Sequence, residues 1–233
     1  MKPHVTCHMC TTIDGRILGG RWGEFPGQKR GENLFEKTHD LFKPRAWFVG
    51  TTTMKEFSDN PARHPATDRR IDRMDHIANA NAKKLAIGVD AKGVLTYKSS
   101  ETHGDHVVLI ITHQVSDAYL AHLQAAGVSY LFCGKREVDL HVALDKLARG
   151  FKLKKLMLEG GGKMNGSFLK AGLIDEISQL IVPIADGGVG VSTIFDIPGK
   201  APEKAAAHLK LLSRKGLPGG VTWFKYKVTS HRL

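Results

Sequence analysis

Short apolar segments of strand length alternate with segments of helical periodicity along most of this chain. The strand-like segments are Val5–Thr11, Ala46–Gly50, Leu85–Val89, Val107–Thr112, Ser129–Cys133, Lys155–Leu158 and Glu176–Val182. Between several of them lie the helical patterns Glu32–Leu41, Ser116–Ala126, Leu140–Arg149 and Met164–Ala171. Strands separated by helices are typical of a parallel sheet, because a parallel pair needs a long crossover connection. The sequence therefore predicts an α/β fold with a mostly parallel central sheet flanked by helices.

The C-terminal part has a different pattern, because glycine and proline interrupt it repeatedly. The residues Val221–Val228 alternate between apolar and polar side chains, as a strand with one buried face does. We expect antiparallel strands at one edge of the sheet. The segment Ser58–Lys83 predicts a long surface excursion that contains a helix. No repeat or linker divides residues 1–233, so we expect a single domain.

Composition favours an anionic partner, since the formal net charge is +11. The basic residues are scattered and lack interleaved aromatic residues, so a phosphorylated cofactor and substrate explain the charge better than nucleic acid does. No apolar run approaches the roughly 20 residues that span a bilayer. The N-terminus also lacks the apolar core of a signal peptide. We therefore expect a cytoplasmic protein that binds neither membrane nor nucleic acid.

The three cysteines do not predict a disulfide framework or a metal site. Cys7 and Cys10 form a C-x-x-C pattern within a predicted strand, where residues three apart point to opposite faces. No second C-x-x-C follows to complete a set of zinc ligands. We interpret the cysteines as structural and expect no bound metal.

The sequence Leu-Met-Leu-Glu-Gly-Gly-Gly-Lys-Met at Leu156–Met164 is the strongest local indication of a ligand. Glycine lacks Cβ, so Gly160, Gly161 and Gly162 can bring backbone N–H groups close to an anion, and the following helix adds its unpaired N–H groups. The flanking Glu159 stands where open α/β sheets bind ligands. The alternative is a tight turn without a ligand, since the spacing matches neither the Walker lysine pattern nor the dinucleotide glycine pattern.

Three segments together resemble the reductase domain of riboflavin biosynthesis, in the dihydrofolate-reductase-like superfamily. Thr11–Ile17 resembles the family's Ser-hydrophobic-Asp-Gly-Lys/Arg turn after the first strand. Ala46–Thr53 resembles its second strand and Gly-x-x-Thr turn, with Asp-Asn-Pro beyond it. Glu159–Gly188 resembles its Glu-Gly-Gly, helix, Gly-Leu-Val-Asp-Glu, strand, Pro and Gly pattern. The chain begins at the reductase's first strand, so we expect no deaminase domain ahead of it.

The resemblance implies a homodimeric reductase that uses NADPH and has a single-domain dihydrofolate-reductase-like fold. It implies that Asp14 and Glu159 face the substrate. The cofactor-binding residues that it implies are Thr53, Asp59, Val138, Gly160, Gly161, Gly162, Lys163 and Met164.

Several of these residues also have a purely structural interpretation. Thr53 could cap the following helix, Asp59 could open an Asx turn, and Asp14 could hold the turn at Gly15. Lys135 and Arg136 could pair with the 2′-phosphate of NADPH, or they could be solvated loop charges.

The sequence departs from the riboflavin enzyme in two places. His39–Lys43 stands where that family has a phosphate-binding arginine, and Gly19–Phe25 does not reproduce its Gly-x-Ser-x-Trp-Ile segment. Another small conjugated carbonyl, imine or heterocycle is therefore open as the substrate beside a pyrimidine ribosyl phosphate, with Lys43 and Arg63 as candidate phosphate ligands.

The reaction also needs a proton donor, and the candidates are Asp14, Glu159, or a water that one of them orders. Direct donation would require a raised carboxyl pKa. The alternative functions are dihydrofolate reductase and a non-catalytic nucleotide- or nucleic-acid-binding protein with the same fold.

Overall fold

A computed structural model describes residues 2–23, 33–59, 67–68, 70–199 and 206–231 of the chain. The chain forms two compact units, one of Met1–Pro3 with Arg45–Leu156 and one of His4–Pro44 with Met157–Leu233. The single domain expected from the sequence stays a prediction. Arg63, Asn60 and Pro61, and the segment Glu24–Phe25, lie outside the described residues.

The first unit is built on parallel strands. These strands are β2 (Ala46–Val49), β3 (Leu85–Val89), β5 (Asp105–Ile111) and β6 (Ser129–Phe132). β3 pairs in parallel with both β2 and β5, and β5 pairs in parallel with β6. The short strand β4 (Glu101–Thr102) pairs antiparallel with the start of β5. The helices of this unit are α2 (Thr51–Met54), α3 (Asp117–Ala125) and α4 (Leu140–Gly150).

The centre of this sheet is the most apolar run of the sequence. Val107–Ile111 is fully buried, and so are Leu85–Ile87 on the neighbouring strand. A parallel strand with elements on both faces has no solvent side, so a continuous apolar run suits it better than alternation does. The predicted parallel strands are therefore confirmed, with ends that differ by a residue or two.

Helix α3 begins and ends where its sequence indicates. The Ser116 side chain accepts a hydrogen bond from the Tyr119 N–H at the N-cap, and Gly127 follows the helix with a positive φ of 70°. Both features supply partners or geometry that a helix terminus otherwise lacks.

The helix expected within Ser58–Lys83 is absent from the described part of that segment. Residues 67–68 and 70–83 form bends, one short turn and one isolated bridge instead. His76 makes an isolated β-bridge with Tyr130, and Ile71 is buried in the core of this unit. Long-range pairing thus satisfies the backbone at His76. The expected helix stays a prediction, because residues 60–66 and 69 of this segment lie outside the described residues.

The second unit combines parallel and antiparallel pairing. β1 (His4–Thr11) pairs in parallel with β8 (Glu176–Ile181). β10 (Thr222–His231) pairs antiparallel with β8 on one side and with β9 (Ala207–Gly216) on the other. The antiparallel strands expected at one edge are thus confirmed. The helices are α1 (Leu34–Asp40) and α5 (Gly162–Lys170), and β7 (Lys155–Leu158) crosses the boundary between the units.

A buried histidine attaches the short helix α1 to β1. His8 is fully buried, and its Nε2 atom lies 3.2 Å from both the Phe35 carbonyl oxygen and the Thr38 hydroxyl. Its Nδ1 atom lies 2.9 Å from the hydroxyl of Ser178 on β8. A seven-residue helix is marginal by itself, so these contacts fix its position.

Among the described residues, no helix has both the length and the apolar composition needed to cross a lipid bilayer.

A buried carboxylate closes the turn after β3 in the first unit. Asp90 is fully buried and accepts hydrogen bonds from the N–H groups of Val94 and Leu95, each at 2.8 Å. The Tyr119 hydroxyl donates a third, at 2.6 Å. A buried carboxylate needs such donors, because it has lost its water.

We expect Tyr119→Phe to lower the free energy of unfolding by about 1–2 kcal/mol, since it removes a donor from a buried charged acceptor. Urea denaturation of the purified protein measures this change.

The matched control is Tyr97→Phe, because the Tyr97 hydroxyl is buried and has no hydrogen-bond partner within the described ranges. That variant should be as stable as the parent or slightly more stable. Equal losses in the two variants would contradict the role given to the Tyr119 hydroxyl.

Candidate active site

Glu159, the residue directly after β7, forms a close pair with a histidine of α1. The Glu159 Oε1 atom lies 2.6 Å from Nδ1 of His39, and the two side chains are only 10% and 13% exposed. Asn33 caps α1 by accepting hydrogen bonds from the N–H groups of Phe35 and Glu36, which fixes the start of the helix that carries His39. The fold therefore places an acid and a base in contact at a nearly buried position.

Both members of this pair have raised pKa values. Burial raises the pKa of Glu159, and the attraction of His39 only partly offsets it. Burial by itself would lower the pKa of His39, but the hydrogen bond and the charge of Glu159 outweigh that effect and raise it. A carboxyl group with a raised pKa can hold a proton nearer to neutral pH, as a general acid must.

The glycine turn after Glu159 has the geometry of an anion seat. Gly161 is the N-cap residue of α5 and has a φ of 53°, a value that favours glycine. Within the described residues, no side chain caps this helix end. The first N–H groups of a helix lack partners inside it, so they can donate to a bound anion. Helix α5 begins at Gly162, two residues before the predicted start.

The loop of residues 184–197 packs closely against the first turn of α5. A Cβ atom on Gly162 would collide with the Thr193 carbonyl oxygen, and one on Gly166 would collide with the backbone of Asp196. The Asp196 N–H donates to the Gly162 carbonyl oxygen at 2.9 Å, and the Asn165 side chain donates to the Ile194 carbonyl oxygen at 3.0 Å. Two of the helix glycines are thus needed for close backbone packing.

The same loop also closes around Asp14. The Asp14 carboxylate accepts hydrogen bonds from the Thr12 hydroxyl at 2.6 Å, from the Asp186 N–H at 3.1 Å and from the Gly187 N–H at 2.9 Å. The Ile194 N–H donates to the Gly15 carbonyl oxygen at 3.1 Å. The loop of residues 184–197 therefore contacts both the Asp14 turn and the first turn of α5.

These hydrogen bonds give Asp14 a pKa shift opposite in direction to that of Glu159. The hydroxyl of Thr12 and the N–H groups of Asp186 and Gly187 stabilise the charged form of Asp14 and hold its pKa well below the usual range. A carboxylate of this kind orders a loop but does not release a proton at neutral pH.

The predicted cofactor residues of the first unit lie in different local settings. Thr53 lies inside α2, whose N-cap is Gly50, so it does not cap that helix. The Asp59 carboxylate accepts a hydrogen bond from the Lys98 N–H at 2.7 Å. Val138 is half-buried just before α4, and Lys135 and Arg136 are exposed in the same turn. Their roles stay predictions.

The remaining residues of the glycine segment, and Lys43, are placed as follows. Gly160 is buried, Met164 is half-buried and Lys163 is exposed. Lys43 is exposed just beyond α1, with a positive φ of 48°.

The cysteines are thiols in settings that suppress ionisation. Burial raises the pKa of Cys10 to about 11 and that of Cys133 to about 12, and it raises that of Cys7 further. In the described part of the chain, no group of three or more His, Cys, Asp or Glu residues could hold a metal ion.

Sequence reasoning did not find the partners that complete these contacts. The sequence marks His39 only as part of a segment that lacks an arginine, and its partner Glu159 is 120 positions away. Asp186 and Asn165 were not singled out. Each is set by contacts between distant segments, for which a single sequence gives no local pattern.

We expect Asp14→Asn to loosen the loop of residues 184–197, because the amide cannot accept all three hydrogen bonds. Hydrogen–deuterium exchange should become faster at Asp186 and Gly187. In the parent, this stabilisation is present above the ordinary pKa of an aspartate and is lost as the pH falls through the lowered pKa of Asp14.

The control for this exchange experiment is Asp72→Asn, a substitution at an exposed carboxylate of the first unit. Unchanged exchange at Gly187 in Asp14→Asn would contradict the role given to Asp14.

Known proteins are similar to this chain along most of its length. The family described as the RibD C-terminal domain matches residues 3–222. The 2,5-diamino-6-ribosylamino-4(3H)-pyrimidinone 5′-phosphate reductase of Methanothermobacter thermautotrophicus is 26% identical over 212 residues, which are 91% of this chain and 92% of that protein. The enzyme of the same name from Aquifex aeolicus is 26% identical over 215 residues, 91% of each protein.

Solved structures share the fold at low sequence identity. A pyrimidine reductase-like protein of Corynebacterium diphtheriae superposes with a TM-score of 0.69 at 18% identity, covering 98% of this chain and 92% of that one. The riboflavin biosynthesis reductase of Saccharomyces cerevisiae superposes with a TM-score of 0.60 at 15% identity, covering 98% and 90%. The dihydrofolate-reductase-like fold predicted from the sequence is confirmed. With most of its length matched by the family, this chain belongs to the RibD C-terminal domain family.

Proposed function

We propose that this protein is an NADPH-dependent reductase whose substrate is a pyrimidinone ribosylamino phosphate or a close chemical relative. The observation that carries the proposal is Glu159, nearly buried with a raised pKa and followed directly by a glycine turn. Membership of the RibD C-terminal domain family supports a reductase. The named relatives are reductases of 2,5-diamino-6-ribosylamino-4(3H)-pyrimidinone 5′-phosphate, which supports the substrate class.

The local structure of the glycine turn supports a seat for the cofactor. The positive φ of Gly161 and the uncapped N-terminus of α5 suit a pyrophosphate, and Lys163 adds a positive charge at the start of the helix. We assign Gly160–Met164 to the nicotinamide ribose and the pyrophosphate. The assignment of Thr53, Asp59 and Val138 to the cofactor comes from the family resemblance. When bound, NADPH supplies a hydride to an electrophilic carbon of the substrate.

Two carboxyl groups of the second unit have different roles in this proposal. Glu159 gives a proton to the substrate, for which its raised pKa suits it. Asp14 keeps its negative charge and orders the loop of residues 184–197, which also packs against α5. Orientation by an ordered loop is a large part of what an enzyme contributes when the cofactor carries the chemistry.

The relatives and solved structures named above do not support the two alternative functions, dihydrofolate reductase and a non-catalytic binding protein. The choice of NADPH over NADH rests on the family resemblance and on Lys135 and Arg136 as candidate partners of the 2′-phosphate. The cytoplasmic location stays a prediction from the sequence.

We expect Glu159→Gln to lower kcat by roughly 10²–10⁴-fold, because the amide cannot donate the proton. NADPH affinity should stay within a few-fold of the parent. Nicotinamide fluorescence measures the affinity, and NADPH oxidation with the pyrimidinone substrate of the relatives measures kcat.

Glu101→Gln, at an exposed position in β4, is the matched control and should leave both quantities unchanged. Absence of NADPH binding by the parent protein at high micromolar cofactor would overturn the proposed function. Steeply salt-dependent binding of DNA or RNA in its place would favour the nucleic-acid alternative.

We also propose the homodimer that the family resemblance implies. The strand β9 is exposed at every residue after Ala207 and pairs with β10 on one side only, among the strands that the structure describes. Leu209 and Leu211 share one of its faces and are 44% and 52% exposed. An exposed apolar edge strand is a favourable surface for association.

We expect Leu209→Lys combined with Leu211→Lys to give a monomer, because two charges on this face oppose its burial in an interface. Light scattering after gel filtration should then report a mass near 25.6 kDa, compared with twice that for the parent. Val94→Lys, at a position that is also 44% exposed but lies in the first unit, is the control. A monomeric parent would overturn the proposed dimer.

A further inference from the structure

The charged groups around His39 determine how readily its ring takes up a proton. Along α1, Glu36 and Asp40 place negative charge near the His39 ring and favour its protonated form. On β1, Cys7 remains a neutral thiol because burial raises its pKa. The charges that act on His39 are therefore those of carboxylates, and Cys7, which interacts with Glu159, adds no charge to the pair.

A second histidine nearby does not compete for the proton. The ring centroid of His8 lies 6.4 Å from that of His39. Burial lowers the pKa of His8 to about 4, and the charge of Lys225 on β10 acts in the same direction. His8 is therefore neutral at neutral pH, and its two ring nitrogens are already engaged with α1 and Ser178.

The contact between the acid and the imidazole is short and only slightly open. A distance of 2.6 Å between Nδ1 of His39 and Oε1 of Glu159 allows a proton to be shared or transferred directly. The 13% exposure of the His39 side chain lets water reach the ring. Both side chains are slightly exposed and His39 is the more exposed of the two, so a proton can pass from water to Glu159 through the imidazole.

From this geometry we infer that His39 is the positioning residue that holds Glu159 in place and returns a proton to it after each turnover. The inference rests on the proposed function, because it takes Glu159 as the acid. In the step, Glu159 loses its proton to the substrate and becomes a carboxylate. The neutral imidazole of His39 then takes up a proton from water, and the Nδ1 proton moves to Glu159, so that the pair again holds one proton.

The shared proton predicts a specific change in the pH dependence. In the parent, the active pair loses its last proton either from His39 or from Glu159, so the apparent pKa of that loss is at least as high as the pKa of either site alone. Without the imidazole, only Glu159 remains to hold the proton. The alkaline limb of the kcat profile must then move to lower pH.

We expect His39→Asn to move that limb down by about one pH unit or more. The Asn amide nitrogen can occupy the place of Nδ1 and keep the hydrogen bond to Glu159, so a purely positional role would leave the limb where it is. His103→Asn replaces an exposed histidine whose positive φ of 50° suits asparagine, and it is the matched control. Superimposable profiles of His39→Asn and the parent would overturn the proton-return role.

A second measurement needs no turnover. NMR titration of the labelled parent, with the His39 resonance assigned by its absence in His39→Asn, should give His39 a pKa above its ordinary value of 6.5. In Glu159→Gln, the pKa of His39 should fall, because burial then opposes protonation without the carboxylate. A pKa of His39 that is the same in Glu159→Gln and the parent would overturn the shared proton.

The two measurements separate failure of the inference from failure of the proposed function. If the pair titrates as expected but the parent does not oxidise NADPH with the pyrimidinone substrate, the proposed reductase activity is overturned, and with it the proton-return step. If the parent is active and the alkaline limb does not move, only the role of His39 is overturned.

Discussion

The burial of one carboxylate at the end of β7 is the constraint on which the rest of the candidate site depends. Removing Glu159 from water carries a free-energy cost, and the fold offsets part of it with an imidazole 2.6 Å away. The imidazole in turn requires α1 to lie at a fixed position. This helix has only seven residues, so its place is set by an Asn33 cap and by the contacts of His8 with Phe35 and Thr38. The hydrogen bonds of Asn33 and His8 thus determine whether His39 lies within reach of Glu159.

The second organising feature is a loop that serves two turns at once. Residues 184–197 supply N–H donors to Asp14 and pack against the glycines at the start of α5. Because Gly162 and Gly166 have no side chains, the loop can approach the helix backbone directly. Within this one unit, the pKa values of Asp14 and Glu159 are shifted in opposite directions. Hydrogen-bond donors hold the pKa of Asp14 low, whereas burial raises that of Glu159.

Much of the fold could be predicted from local patterns. The run Val107–Ile111 reads as a buried parallel strand because it is continuously apolar, and Ser116 and Gly127 mark the ends of α3. The helix expected within Ser58–Lys83 does not occur in the described part of that segment, where His76 forms a bridge with the distant Tyr130. Local sequence patterns cannot predict such a bridge, because the residue that stabilises it lies 54 positions away along the chain.

The sequence alone determined the α/β class, the glycine turn and the family, because each depends on residues that are neighbours along the chain. Only the tertiary structure decided how the pKa values of the two carboxyl groups differ. Asp14 and Glu159 both carry a carboxyl group, and the sequence gives no reason for their pKa values to differ. The difference arises from the N–H donors of Asp186 and Gly187 at Asp14, and from burial beside His39 at Glu159. Proton affinity depends on the solvent and charges around a group, and those are fixed only when distant segments pack together.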